Sequence, residues 1–152
     1  MHHLINLWYL ARHKYWVLIF GIKLGVPIWR LIIHDLDKFY PSKWTGYANY
    51  YFNPKKQSDF VEKYNLACNG HQKLAKHHWQ YWILIDNFAD LIPLKIPDKY
   101  LREMVADWLS AAKCKTGTIN NIAGWYQTNK ENLILNKESR SNLEIILKDY
   151  FG

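Results

Sequence analysis

The chain reads as an all-α domain, an irregular bundle of about six or seven helices, on three observations. Apolar residues recur at helical spacing over most of its length. Glycine and proline break that pattern into short pieces, and the strand signal is negligible. The composition suits one buried core: 152 residues, 49% hydrophobic and 22% charged, a length at which roughly two-thirds of the unfolded surface is buried. These values exclude global disorder, and the whole of 1–152 is read as a single domain.

Leu4, Leu7, Trp8, Ala11, Tyr15, Leu18 and Ile22 predict a first helix over about residues 3–24, ended by Gly25. Pro27 opens a second, Pro27–Leu36, apolar nearly all round (Ile28, Trp29, Leu31, Ile32, Ile33) and therefore expected to be central. Phe39–Ser42 breaks it, and Ser42 is positioned to cap a short helix through Trp44, Tyr47 and Tyr50, which Asn53-Pro54 ends. Residues 57–88 read as helical, with an interruption near Asn69-Gly70. Two prolines make Ile92–Pro97 extended. Asp98 leads a helix through Leu101, Met104, Val105, Trp108 and Leu109. Ile119–Thr128 and a last helix from Ser139 or Ser141 to Tyr150 complete the chain.

Several polar residues fall where an apolar interior would reject them. His34-Asp35 ends the second helix, and a buried carboxylate demands a partner or a metal. Side chains adjacent on a helix diverge by ~100°, yet they can converge on one ion or on two side by side. His13 lies among Tyr15, Trp16 and Val17, and Asp107 lies within Met104–Leu109. His71 and His78 are seven apart, about 20° short of two turns on a continuous helix, so they share a face while His77 points away. That makes His71 and His78 the pair and His77 a supporting or substrate group. Each residue alone has an ordinary reading as a hydrogen-bonded core histidine or a capping aspartate. Asp37 fits the ordinary reading, as do His2 and His3 at a frayed terminus. Imidazole with carboxylate suits Fe, Mn, Zn, Co or Ni.

The order His13, His34-Asp35, further histidines, then Asp107 resembles the HD-domain superfamily of metal-dependent phosphohydrolases, and His34–Lys38 is similar to the His-Asp-x-x-Lys form of its two-metal phosphodiesterases. More closely, the chain resembles a small phage and bacterial family with blocks matching His34–Lys38, His77–Trp79 and Glu103–Trp108. The resemblance implies an HD-like helical bundle. It also implies metal ligands at His13, His34, Asp35 and Asp107, with His71 and one of His77 and His78 bringing a second ion. Asp35 and Lys38 would be catalytic, Lys38 beside the substrate phosphate. The cofactor would be one or two divalent ions of Mn, Fe, Ni, Co, Zn or Mg, acting through activated water on a nucleotide or cyclic nucleotide. The close spacing of His71 and His77 departs from the pattern of many two-metal members. An HD-type diiron oxygenase and a non-catalytic protein that binds a phosphorylated small molecule are the alternatives.

A net charge of +7 and 16% aromatics, including eight Trp and eleven Tyr, admit an anionic partner. Basic residues are spread out, with no run longer than Lys55-Lys56, so a phosphorylated small molecule is expected and a stable nucleic-acid partner is not. Trp44 and Tyr47 follow the metal motif and could stack on a base. Most other aromatics, Trp79, Tyr81, Trp82 and Trp108 among them, read as core. The early apolar stretch lacks the layout of a signal peptide, and Tyr15–Ile22 is too short to span a bilayer. Two isolated cysteines, Cys68 and Cys114, point to a reducing cytoplasm, that of the bacterial host if the chain is phage-encoded.

Overall fold

The computed structural model describes residues 1–55 and 57–151. Among them are seven α-helices and one small hairpin. The helices are α1 (His2–Lys23), α2 (Ile28–Ile33), α3 (Pro41–Phe52), α4 (Ser58–Gln72), α5 (Asp98–Thr116), α6 (Ile122–Asn129) and α7 (Lys137–Phe151), with 3-10 turns at Leu36–Phe39, Trp79–Trp82 and Lys130–Asn132. No helix among the described residues is long and apolar enough to cross a membrane.

Helix α5 is the axis of the core. Leu101, Val105, Ala106 and Leu109 have no solvent exposure, and they meet Val17 and Phe20 of α1 and Leu143, Ile146 and Leu147 of α7. The apolar residues of α5 thus face two helices at once, which is why its pattern is the clearest in the sequence. Helices α3 and α4 form a second layer against α1. Their close approach needs Gly46, where a Cβ would come within 2.8 Å of the Lys63 carbonyl. Gly25 ends α1 in the left-handed region, at φ +73, where glycine carries no steric penalty.

Four expectations are corrected. The second helix is only Ile28–Ile33. It is peripheral: Ile28, Trp29, Ile32 and Ile33 are exposed, and only Arg30 and Leu31 are buried. One and a half turns have a single inner face, which Leu31 fills. The helix stops because Lys14 of α1 takes its terminal carbonyls, donating to Ile32 O at 3.0 Å and His34 O at 2.6 Å. His34 is then extended and Asp35 left-handed, at φ 59.

Ser42 is not a cap; α3 starts two residues earlier, with Tyr40 at the N-cap and Pro41 in the first turn. The 57–88 region is not one helix. Asn69 and Gly70 lie inside α4, the break falls at residues 73–78, and Ile83–Ile85 (β1) pairs antiparallel with Leu91–Pro93 (β2), Leu84 opposite Ile92. Asp86 builds the hairpin turn by accepting the backbone N–H groups of Phe88 and Asp90. Finally, the N-terminus is ordered into α1 from His2, and His3 accepts a hydrogen bond from Trp44 Nε1 at 3.0 Å.

Candidate metal centre

The turn after α2 brings the predicted ligands together. With His34 extended and Asp35 left-handed, the two adjacent side chains turn into the same interior, where a continuing helix would hold them ~100° apart. His13 from α1 and Asp107 from α5 close on them. One ligand atom from each of His13, His34, Asp35 and Asp107 lies within 4.8 Å of the others, and the same holds for His71, His77 and His78. The two groups meet at Asp35. Its Oδ1 is 3.5 Å from His34 Nε2, 3.2 Å from His71 Nε2 and 3.4 Å from His77 Nε2; its Oδ2 is 3.5 Å from His13 Nε2. His13 Nε2 also lies 2.9 Å from Asp107 Oδ1.

All seven residues are thus assembled, with one change of role. His77 does not point away. It is 3% exposed, and its ring centroid is 4.2 Å from that of His34. Because α4 ends at Gln72, the helical geometry that set His77 apart does not apply beyond it. His78 still reaches His71, Nε2 to Nε2 at 2.9 Å, by way of the turn.

Two carboxylates without an assigned role orient these rings. Glu103, 1% exposed, accepts from His34 Nδ1 at 3.1 Å, lies 3.4 Å from His77 Nδ1, and takes Arg30 Nε at 2.6 Å on its other oxygen. Asp37, read from sequence as an ordinary solvated or capping residue, instead accepts from His71 Nδ1 at 2.9 Å and pairs with Lys43. Each bond orients its ring through Nδ1 and turns Nε2 toward the cluster, which is how histidine ligands are normally positioned. Glu103 carries the same sequence signal as Asp107, an acid in an apolar helix, one turn earlier.

The electrostatics are those of a buried ion network. Burial would raise Asp35, but His34, Lys38 and hydrogen bonds from His13 and His71 hold its carboxyl well below the usual range; Asp107 is held down likewise by His13 and His34. Burial would lower His13, His34 and His71, yet the carboxylates around them keep all three above the ordinary imidazole value. His78 goes the other way, to about 3, through burial and the neighbouring positive charges.

Even so, His13 Nε2, His34 Nε2, Asp35 Oδ1 and His77 Nε2 are buried without a hydrogen-bond partner. Buried polar atoms are ordinarily satisfied, and such atoms gathered about Asp35, with His13 and His34 in one ligand group and His77 in the other, are the pattern bound cations would satisfy. The donor set of imidazole nitrogens and carboxylate oxygens fits a divalent transition metal.

Lys38 sits at the edge of this cluster, Nζ 2.6 Å from Asp35 Oδ2 and 5.4 Å from the Tyr47 ring. Beyond it opens a cavity of about 360 Å³ lined by Lys38 and Tyr47 among others. Trp44 is not part of that lining: its indole is bonded to His3 and stacked on Phe39.

A family model described as "Family of unknown function (DUF5662)" matches residues 3–149, and the chain belongs to that family. No curated protein and no solved structure matches it.

Proposed function

We propose that this member of DUF5662 is a metal-dependent phosphoric ester hydrolase of the HD type, acting on a nucleotide or cyclic nucleotide. The observation that carries the reading is the convergence of three unpartnered buried imidazole nitrogens on the Asp35 carboxylate, itself with an unpartnered oxygen, and the Lys38 ammonium alongside. His13, His34, Asp35 and Asp107 would hold one ion, and His71, His77 and His78 a second, with Asp35 between them. A bound divalent metal supplies Lewis acidity and lowers the pKa of water from 15.7 to about 7. The chain's own contribution is positioning and charge. Lys38 donates to a phosphate oxygen from the cluster's rim, while its bond to Asp35 fixes where the ammonium stands. Glu103 and Asp37 keep the histidines in the tautomer that presents Nε2.

The test is metal analysis of purified protein, followed by phosphate release from a nucleotide panel with each candidate metal. Two ions per chain and release from at least one substrate support the reading. No release with any metal overturns it. Two irons with dioxygen consumption and no phosphate release would make the protein an oxygenase. Tight nucleotide binding without turnover would make it a sequestering protein.

A further inference from the structure

The cavity beside Lys38 has a chemical character of its own. It lies between α1, α3 and the C-terminal end of α5. Its walls are the rings of Tyr9, Tyr47, Tyr51 and Phe52, and Tyr9 stacks on the His13 imidazole at 6.1 Å, so the aromatic wall continues into the metal cluster. Among the described residues no carboxylate lines it, and the charged groups are Lys38 at the cluster side and Lys115, an exposed side chain. One further feature is unexplained by the fold: Asn6, 2% exposed, lines the cavity, and its Nδ2 has no hydrogen-bond partner. A buried amide donor left unmade is destabilising, and a ligand acceptor would offset that.

We propose that this cavity seats the organic half of the substrate: one planar, uncharged ring system of nucleobase size, stacked among Tyr9, Tyr47, Tyr51 and Phe52 and read through an acceptor atom by Asn6. The proposal rests on the hydrolase reading for the place of the phosphate, beside Lys38. The rest follows from the lining. Flat aromatic walls favour stacking over aliphatic packing. The lack of a carboxylate rejects cationic groups. A volume near the low end of the ~300–1,000 Å³ of small-molecule sites holds one nucleoside and not a chain of them. The substrate is thus a mononucleotide, open or cyclic, not an oligonucleotide, and Asn6 is a specificity-determining residue.

The experiment compares adenosine, guanosine, cytidine and uridine 5′-monophosphates with ribose 5-phosphate and a 5′-phosphorylated dinucleotide. It uses wild type and Asn6→Ala, by turnover and by equilibrium dialysis against chelator-treated protein. At least one mononucleotide should exceed both other probes tenfold or more in kcat/KM. Asn6→Ala should shrink that preference about fivefold to tenfold, the worth of one hydrogen bond, with a melting temperature equal to or above wild type because an unpaired donor has been removed. Dialysis should show the same loss in mononucleotide affinity. Equal turnover of ribose 5-phosphate and every mononucleotide, or a preference unchanged in Asn6→Ala, overturns the inference while leaving the hydrolase reading intact. Asn6-dependent mononucleotide binding without turnover does the opposite. Neither binding nor turnover of any probe defeats both.

Discussion

The two histidine groups are neighbours but are built differently. His13 and Asp107 stand on the long helices α1 and α5, which pack against each other through the core, and His34 and Asp35 follow a turn pinned by Lys14. Of the other three histidines, only His71 is on a helix, in the last turn of α4; His77 and His78 come from the irregular stretch that follows. Their supports differ too. Glu103, behind His34 and His77, is 1% exposed at the side chain, whereas Asp37, behind His71, is 18% exposed. A ligand group built on rigid elements and held by dry hydrogen bonds keeps its geometry without the ion. The α1–α5 group is therefore expected to bind the first ion tightly, and the His71–His78 group a second, more easily lost.

Asp35→Asn should remove the distinction altogether, because one side chain belongs to both groups. Both ions are lost and phosphate release falls to background. The metal-free protein is also destabilised, by about 3–5 kcal/mol, the usual cost of breaking a buried ion pair from one side. Metal content and a denaturant titration check this; retention of one ion would mean that Asp35 serves a single group. Glu103→Gln comes next, since Oε1 faces rings of both groups. Affinity for both ions should fall roughly 10- to 100-fold. Asp37→Asn should be selective, weakening the second ion by about tenfold and leaving the first unchanged. Equal losses in a two-site calorimetric titration would show that the groups do not fill independently.

The same contrast explains what could be read in the sequence. Helices α1 and α5 were legible because each presents an apolar stripe to a large core, and periodicity reports that. His13 and Asp107 were legible as polar intruders in those stripes. The bend that makes His34 and Asp35 converge was not, because its cause is Lys14, some twenty residues earlier in the chain. The exposure of α2 was hidden for a related reason: composition says a segment is apolar, not how much of it a neighbour covers. In the second group only the orientation of His77 differs from expectation, and it does so where local pattern is weakest. Ile83–Ile85 and Leu91–Pro93 are three-residue strands, too short for alternation to stand out, and the turn before them releases His77 from helical geometry. The roles of Glu103 and Asp37 do not show until the partner rings, at least 26 positions away, are in place.

The dependence of stability on pH separates the chain's charges from the metal's. In metal-free protein His13, His34 and His71 are held above the ordinary imidazole value by surrounding carboxylates, against the opposing effect of burial. Their folded forms therefore keep protons that the unfolded chain has released. That stabilisation is complete below the unfolded value of about 6.5 and is lost as pH rises through the folded values. His78, lowered to about 3, acts only below 6.5, where its unfolded form takes a proton that the folded form refuses. Chelator-treated protein should thus melt at lower temperature at pH 8.5 than at pH 6.5, at up to ~1.4 kcal/mol per proton per pH unit. With metal the slope should reverse, because an ion needs the histidines deprotonated and its affinity grows as they lose protons. Asp37→Asn should flatten the metal-free slope by removing one of the partners of His71, while leaving most of the reversal, which belongs to the α1–α5 group. A metal-free melting temperature that rises across this range would mean that the histidines are not the carriers of the buried positive charge.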